Sequence, residues 1–261
     1  MKSTLSLLSL SLSTLPLAHA GTTLWSGLFN ETFTVENFDK WSWSSQIPPY
    51  QWYIHGTEST SHYLSLSDTF KNPNSTLVGD EQGLKTTLDN TSSWNGQSMM
   101  RTELIPQVES GAGVDIGSGK LYYHFSLAVN EEGFPNEDIE HQVAFFESHF
   151  TELKYGGSSD VSSNLTWYAN SAAQWGTELV AGEWYNFAYG IDFDNGGVEL
   201  YASTGAEELE LVVDAVEASA QSNGQDWHVG VLRLDNGVDG GEEAWYWGGV
   251  YVEEGDVSLE V

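Results

Sequence analysis

The sequence predicts an all-β protein, a single-domain β-jelly-roll sandwich of two antiparallel sheets. Hydrophobicity alternates with period two in nearly every apolar segment, as half-buried strands require. Glycine, asparagine and aspartate bound those segments, and the chain holds 27 glycines. Helical period is confined to one short, ambiguous stretch. Many short strands separated by turn signals are the pattern of a two-sheet sandwich.

Along the chain, Met1 and Lys2 precede an apolar, Leu/Ser-rich run from Leu5 to Leu17, and Ala18-His19-Ala20 has the small-x-small form of a signal-peptidase site. Residues 1–20 are therefore expected to be a cleaved secretory signal, leaving 21–261 as one secreted, monomeric domain. The run is too short to span a bilayer, and Asn30, Asn74, Asn90 and Asn164 head N-glycosylation tripeptides. Leu121–Leu127, Trp184–Phe193 and Trp245–Val252 are aromatic or β-branched strings that read as strands. Asp194-Asn195-Gly196-Gly197 tolerates positive φ and predicts a hairpin joining 184–193 to 198–203. Glu207 to Ala220 mixes both periods and is left open between helix and strand. Stretches 105–119 and 155–163 are expected to be loops.

Charge narrows the partners. The chain has 38 acidic against 8 basic residues, net −30, and no cysteine. Nucleic acids and anionic membranes need a basic footprint that these residues cannot supply. Disulfides, thiolate metal sites and cysteine nucleophiles are excluded. The histidines show no H-x-x-x-H or H-E-x-x-H spacing, so neither a metal nor another cofactor is expected. There is no G-x-S-x-G nucleophile elbow.

Two carboxylates stand out. If Gln97 to Leu104 is a strand, then Gln97, Met99, Arg101 and Glu103 share one face and Met100, Thr102 and Leu104 the other. Arg101 then sits beside Glu103, either as a surface ion pair or as the cation that orients a working carboxylate. In Glu140–Lys154, alternation puts His141, Val143, Phe145, Glu147 and His149 on one face. Glu147, mid-strand among Phe145, Phe146 and Phe150, is expected to be desolvated with a raised pKa, and His149 is within reach as its hydrogen-bond partner. A carboxylate pair facing an aromatic groove is the arrangement for glycoside hydrolysis. Trp41-Ser42-Trp43 and the segment Pro48–His55, with Trp52, Tyr53 and His55, are candidates for a sugar-stacking surface.

The strings FDKWSWSSQIPPYQWYIHG (38–56), WNGQSMMRTELIPQ (94–107), LYYHFSL (121–127), EHQVAFFESHFTELKYG (140–156) and WHVGVLRL (227–234) closely resemble glycoside hydrolase family 131, secreted fungal β-glucanases. The resemblance spans residues 21–261. It implies a jelly-roll catalytic domain acting on β-glucans with β-1,3, β-1,6 and β-1,4 linkages. Its two catalytic glutamates correspond to Glu103 in R-T-E-L and Glu147 in F-F-E-S-H-F, with Glu140 the alternative for the second. Arg101, His149 and His228 are implied as groove neighbours, and Gln97 is a further groove candidate from the strand face it shares with Arg101 and Glu103. The expected mechanism is inverting, with Glu147 as acid and Glu103 as base. Two alternatives remain, a jelly-roll polysaccharide lyase and a non-catalytic carbohydrate-binding module. The charge opposes the first, because a polyuronate lyase must neutralise its substrate's carboxylates.

Overall fold

The structure is a computed structural model and describes residues 21–157 and 163–261. The expected signal, residues 1–20, lies outside the described residues, as does 158–162 of the expected loop 155–163. Among the described residues no helix is long and apolar enough to cross a membrane.

Two antiparallel sheets face each other. One runs in the order β13 (Glu210–Glu217), β12 (Gly197–Thr204), β11 (Trp184–Asp192), β6 (Lys120–Val129), β15 (Glu243–Glu254), β4 (Gly83–Leu88), β3 (Leu64–Ser67). The long β15 pairs with β4 through Glu243–Trp247 and then with β1 (Thr22–Ser26) through Tyr251–Glu254. The second sheet runs β10 (Ala172–Glu178), β9 (Asn164–Ala169), β8 (Thr151–Tyr155), β7 (His141–Phe146), β14 (Trp227–Arg233), β5 (Met100–Pro106), β2 (Tyr50–Ile54). The hairpin expected around Asp194–Gly197 joins β11 to β12 in continuous register. The ambiguous segment 207–220 contains an edge strand, β13, because pairing with β12 satisfies its backbone and seats Val212, Val213 and Val216 against the core.

Aromatic rings fill the space between the sheets. Tyr123 and Phe125 of β6 meet Trp227 of β14 at centroid distances of 5.0 and 6.1 Å, and Tyr189 of β11 meets Trp167 of β9 at 6.5 Å. Polar groups bridge the layers too. Thr102 of β5 donates to the carbonyl of Thr87 on β4, and Glu243 of β15 is held by His141 of β7 and Arg233 of β14. With Thr102 and Leu104 turned inward, Arg101 and Glu103 are left on the outer face of the second sheet, as alternation requires.

Two departures from simple alternation place the remaining polar residues. Strand β5 begins only at Met100, because Asn95 and Gly96 take left-handed φ of 51° and 74° and fold 94–97 into a turn. Gln97 therefore lies on a loop and not on the expected strand face. On β7, the register with β14 runs Phe145–His228 and then Val143–Val231, so Val229 and Gly230 together oppose Ala144. This bulge is accompanied by a φ of 46° at Ala144. Val143, Ala144 and Phe146 join the core while Phe145 turns to the outer face. The expected common face of His141, Val143, Phe145 and Glu147 is thus broken at Ala144, and His141 and Val143 point inward.

Gly230 makes the bulge possible. A Cβ there would lie 2.3 Å from the carbonyl oxygen of Thr102 and 2.7 Å from Cα of Glu103, both backbone atoms of β5. Gly230→Ala should separate β14 from β5, destabilising the domain by about 1–3 kcal/mol as overpacked cores do. Urea unfolding of the variant measures this, and a midpoint equal to that of the unsubstituted protein would contradict the close-approach account.

Candidate active site

Glu103 is fully buried on the outer face of the second sheet. Arg101, two residues away on the same strand, clamps it with both arms of its guanidinium: Nε donates to Oε1 at 2.6 Å and Nη2 to Oε2 at 2.7 Å. Planar bidentate pairing of this kind is the strongest form of the interaction. From the neighbouring strand β14, His228 brings Nδ1 to 2.5 Å of Glu103 Oε2. Burial alone would push the Glu103 carboxyl up, but His228 and Arg101 outweigh it and hold the carboxyl below its ordinary range.

The other ring nitrogen of His228 carries the site outward. Nε2 lies 3.1 Å from Oε2 of Glu147, and Arg101 Nη2 lies 3.6 Å from the same oxygen. Burial opposes the charged form of His228, yet Glu103 first and Glu147 second raise its pKa above the ordinary value. Both ring nitrogens then donate, one to each carboxylate. Glu147 was expected mid-strand, desolvated and with a raised pKa. Strand β7 ends at Phe146, and Glu147 opens the following turn with its side chain 61% exposed. The hydrogen bond from His228 lowers its carboxyl against a smaller effect of burial, with the charges of His228, Arg101 and His149 adding to the lowering. The expectation of a raised pKa is corrected at Glu147, whereas Glu103 is held below its ordinary range, as a carboxylate beside Arg101 should be.

The remaining candidates divide. Tyr53 lies in an aromatic row: Trp43 at 4.9 Å, Trp41 at 5.5 Å and Trp94 at 6.0 Å between ring centroids. Trp43 is 66% exposed, and at the other end of the row Trp94 sits against the Arg101 guanidinium at 5.5 Å. Burial first and then the charge of Glu147 raise the Tyr53 phenol, with Arg101 opposing and Glu103 adding least. Trp52 is instead a core residue whose indole donates to Thr60 Oγ1, and His55 stacks on it at 4.3 Å and takes the Gly56 carbonyl as partner. Alternation in β2 explains the split, because consecutive Trp52 and Tyr53 must face opposite sides. Among the described residues, neither Trp52 nor His55 has a contact with Glu103, Glu147 or His228. Gln97 Oε1 is buried without a hydrogen-bond partner on the loop that carries Trp94.

His149 was expected to bond Glu147. Its Nδ1 lies 2.9 Å from Oε2 of Glu152 instead, because a φ of 54° at His149 and a bond from its amide to the Phe146 carbonyl close the turn and aim the ring toward β8. Glu140 is engaged by Lys154 at 3.0 Å and by Gln142 at 3.1 Å, and among the described residues it makes no hydrogen bond or ion pair with Glu103 or His228. Sequence reasoning missed Trp94, Glu152 and Lys154 as neighbours of the site. A Glu and a Lys two apart in Thr151–Tyr155 gave the same signal as Arg101 and Glu103. Among the described residues no cluster of three or more His, Asp or Glu has the arrangement of a metal site.

A buried carboxylate–imidazole pair joined to an exposed carboxylate, beside a row of rings that ends in the exposed Trp43, can move a proton at the protein surface. Similarity to known proteins agrees with this chemistry. Residues 23–258 match the family described as the glycoside hydrolase 131 catalytic N-terminal domain. The catalytic domain of the glycoside hydrolase family 131 protein from Coprinopsis cinerea is 47% identical, covering 92% of this chain and 98% of that one, with a TM-score of 0.85. The GH131 β-glucanase catalytic domain from Podospora anserina is likewise 47% identical, covering 92% and 99% of the two chains, with a TM-score of 0.87. No curated protein matches. On sequence, length and fold alike, this chain belongs to glycoside hydrolase family 131.

Proposed function

We propose that this chain is a secreted β-glucanase that hydrolyses neutral β-glucans through Glu147, with His228 as its proton reservoir and Glu103 as the buried anchor of His228. The observation that carries the reading is the line Glu103–His228–Glu147, buried at one end and open at the other. The β-glucanase relative from Podospora anserina supports the substrate class. The row Trp43–Tyr53–Trp94 offers amphipathic faces on which sugar rings stack, and it leads directly to Arg101.

The expected division of labour is kept for Glu147 and revised for Glu103. With no exposed surface and three donors already on its oxygens, Glu103 has no room for water or an anomeric carbon. It acts as the buried carboxylate of a triad acts, fixing the imidazole and stabilising its charge. Glu147 meets the substrate. A sugar laid over it removes the water that stabilises the Glu147 carboxylate and the imidazolium, and desolvation favours the neutral pair. The proton then passes from His228 Nε2 to Glu147 and on to the glycosidic oxygen. Because Glu103 cannot form a glycosyl–enzyme bond, water attacks directly and the configuration inverts; the proton that this water loses passes to bulk solvent, from which His228 is recharged. The gap between the two carboxylates is filled by the imidazole and guanidinium, so the usual spacing criterion for inversion does not apply to this pair.

Glu147→Gln should lower kcat by about 10²–10⁴-fold, the range of a lost proton-transfer group, while binding of the same glucan persists. Full activity in this variant would favour a role for Glu147 in binding only. Laminarin, a β-1,6-glucan and a soluble cellulose derivative should all release reducing ends and a polyuronate none. Retained binding with no hydrolysis of any glucan would favour the binding-module reading. Proton NMR of the first product should show the α-anomer, and an initial β-anomer would refute single displacement. Activity needs the proton held by His228. The profile of kcat/KM should therefore fall on the alkaline side above the ordinary histidine value of 6.5. Stability follows the same groups. The part due to Glu103, whose folded carboxyl lies below its unfolded value, is present above about pH 4.3 and lost as pH falls through the folded value. The part due to His228 is complete below about pH 6.5 and lost as pH rises through its raised value. Thermal unfolding against pH should show His228→Gln removing the alkaline decline, and an unchanged curve would refute the assignment.

A further inference from the structure

Phe145 is fully buried yet belongs to the outer face, where it lies between two imidazoles. Its ring is within 7° of parallel to His228 at 4.6 Å between centroids and within 4° of parallel to His149 at 5.4 Å. The Arg101 guanidinium lies 6.0 Å from the same ring. His149 is tied in turn to Glu152, whose side chain is 1% exposed and which also has Lys154 at 3.6 Å. Two non-glycine residues with left-handed backbone, Ala144 and His149, flank this element. Such conformations persist only where their surroundings impose them, and they gather at functional sites. The bulge at Ala144 turns Phe145 out of the core, and the turn at His149 returns a second ring against it.

We infer that Phe145 and His149, anchored by Glu152, are positioning residues that set the plane of the His228 ring between its two carboxylates. This rests on the proposed role of His228 in proton supply. Hydrogen bonds at Nδ1 and Nε2 fix a line through the imidazole but leave it free to tilt about that line. A flat ring packed parallel to one face removes the tilt. Phe145 would itself be free to move were its other face open, and His149 closes that face. Tilt matters because a proton transferred along Nε2–H must point at Glu147 Oε2, and small angular errors in such constellations are costly. The charged or titrating groups facing His228 are Glu103 and Arg101 from β5, Glu147 from the turn after β7 and Asp226 just before β14, with His149 beyond Phe145.

The test is Phe145→Leu, with Phe145→Tyr as the conservative variant and His149→Gln as the exposed partner. Phe145→Leu should lower kcat by about 10–100-fold, in the range a misplaced catalytic group costs, with KM changed less than about twofold. Nitrogen-detected NMR of the imidazole should show His228 titrating at lower pH, and the alkaline limb of the kcat profile should move with it. Phe145→Tyr should restore both, and His149→Gln should shift both in the same direction by a smaller amount. If Phe145→Leu does not fold, His149→Gln alone decides, since its side chain is 38% exposed. An unshifted His228 titration with unshifted kcat in the folded variant overturns the inference and makes the stack mere packing. Full activity in Glu147→Gln and His228→Gln would instead overturn the proton-supply reading, a result that the NMR titration does not depend on.

Discussion

The bidentate pair of Arg101 and Glu103 is the interaction on which the site depends. Both groups are buried, and a buried charge left alone costs several kcal/mol. The pair persists because every polar atom of the carboxylate is met: two guanidinium nitrogens on one side, an imidazole nitrogen on the other. Once fixed, it dictates the rest. His228 must carry a proton because it faces Glu103, Glu147 has a cation to lean on because His228 is charged, and Trp94 and Phe145 have a guanidinium to cover. Removing Glu103 would leave two cations without their buried partner, and this is a stronger constraint than any apolar contact in the groove.

Histidine beside glutamate recurs in this molecule, and comparing the pairs shows what is special about the active one. His124 meets Glu253 at 2.9 Å on the first sheet, with Tyr251 stacked on it at 4.3 Å. There burial outweighs the single carboxylate and lowers the histidine. His228 is nearly as buried, but it has a second carboxylate on its other nitrogen, and the balance reverses. With one acidic partner burial prevails; with two the imidazole is held above its ordinary value. The scarcity of cations sharpens this. Arg101, Lys120, Lys154 and Arg233 are each held by a carboxylate, so in a chain of net −30 a protonated histidine is a local resource that only a doubled acid can keep.

The sandwich was legible because period two, turn residues and aromatic strings are local signals, and the hairpin at Asp194–Gly197 was read from four residues. Arg101 beside Glu103 was legible for the same reason, since two residues apart on a strand means one face. Glu147 was singled out by its aromatic neighbours, but its surroundings were misread. Alternation carried through Ala144 as if no bulge existed, and nothing in Val143-Ala144-Phe145 announces that two residues of β14 will oppose one of β7. The partner of Ala144 in the bulge, Gly230, lies 86 positions later in the chain, and its missing side chain lets β14 lie against β5. Trp52 was misplaced by the opposite error, in which a dense aromatic segment was treated as a unit although neighbouring strand residues face opposite ways.

These two errors have one physical origin. A sequence displays the direction of a side chain relative to its neighbours along the strand, whereas a site is defined by directions across strands. Glu103, His228 and Phe145 come from three adjacent strands, and their meeting depends on register, which the bulge shifts by one residue. Without that shift the alternation would turn Phe145 toward the core and carry Glu147, two residues on, away from His228 with it. The irregularity in the sheet is therefore where the fold departs from its own repeating geometry to bring Glu103, His228 and Phe145 together, and the left-handed backbone at Ala144 and His149 lies where that departure is made.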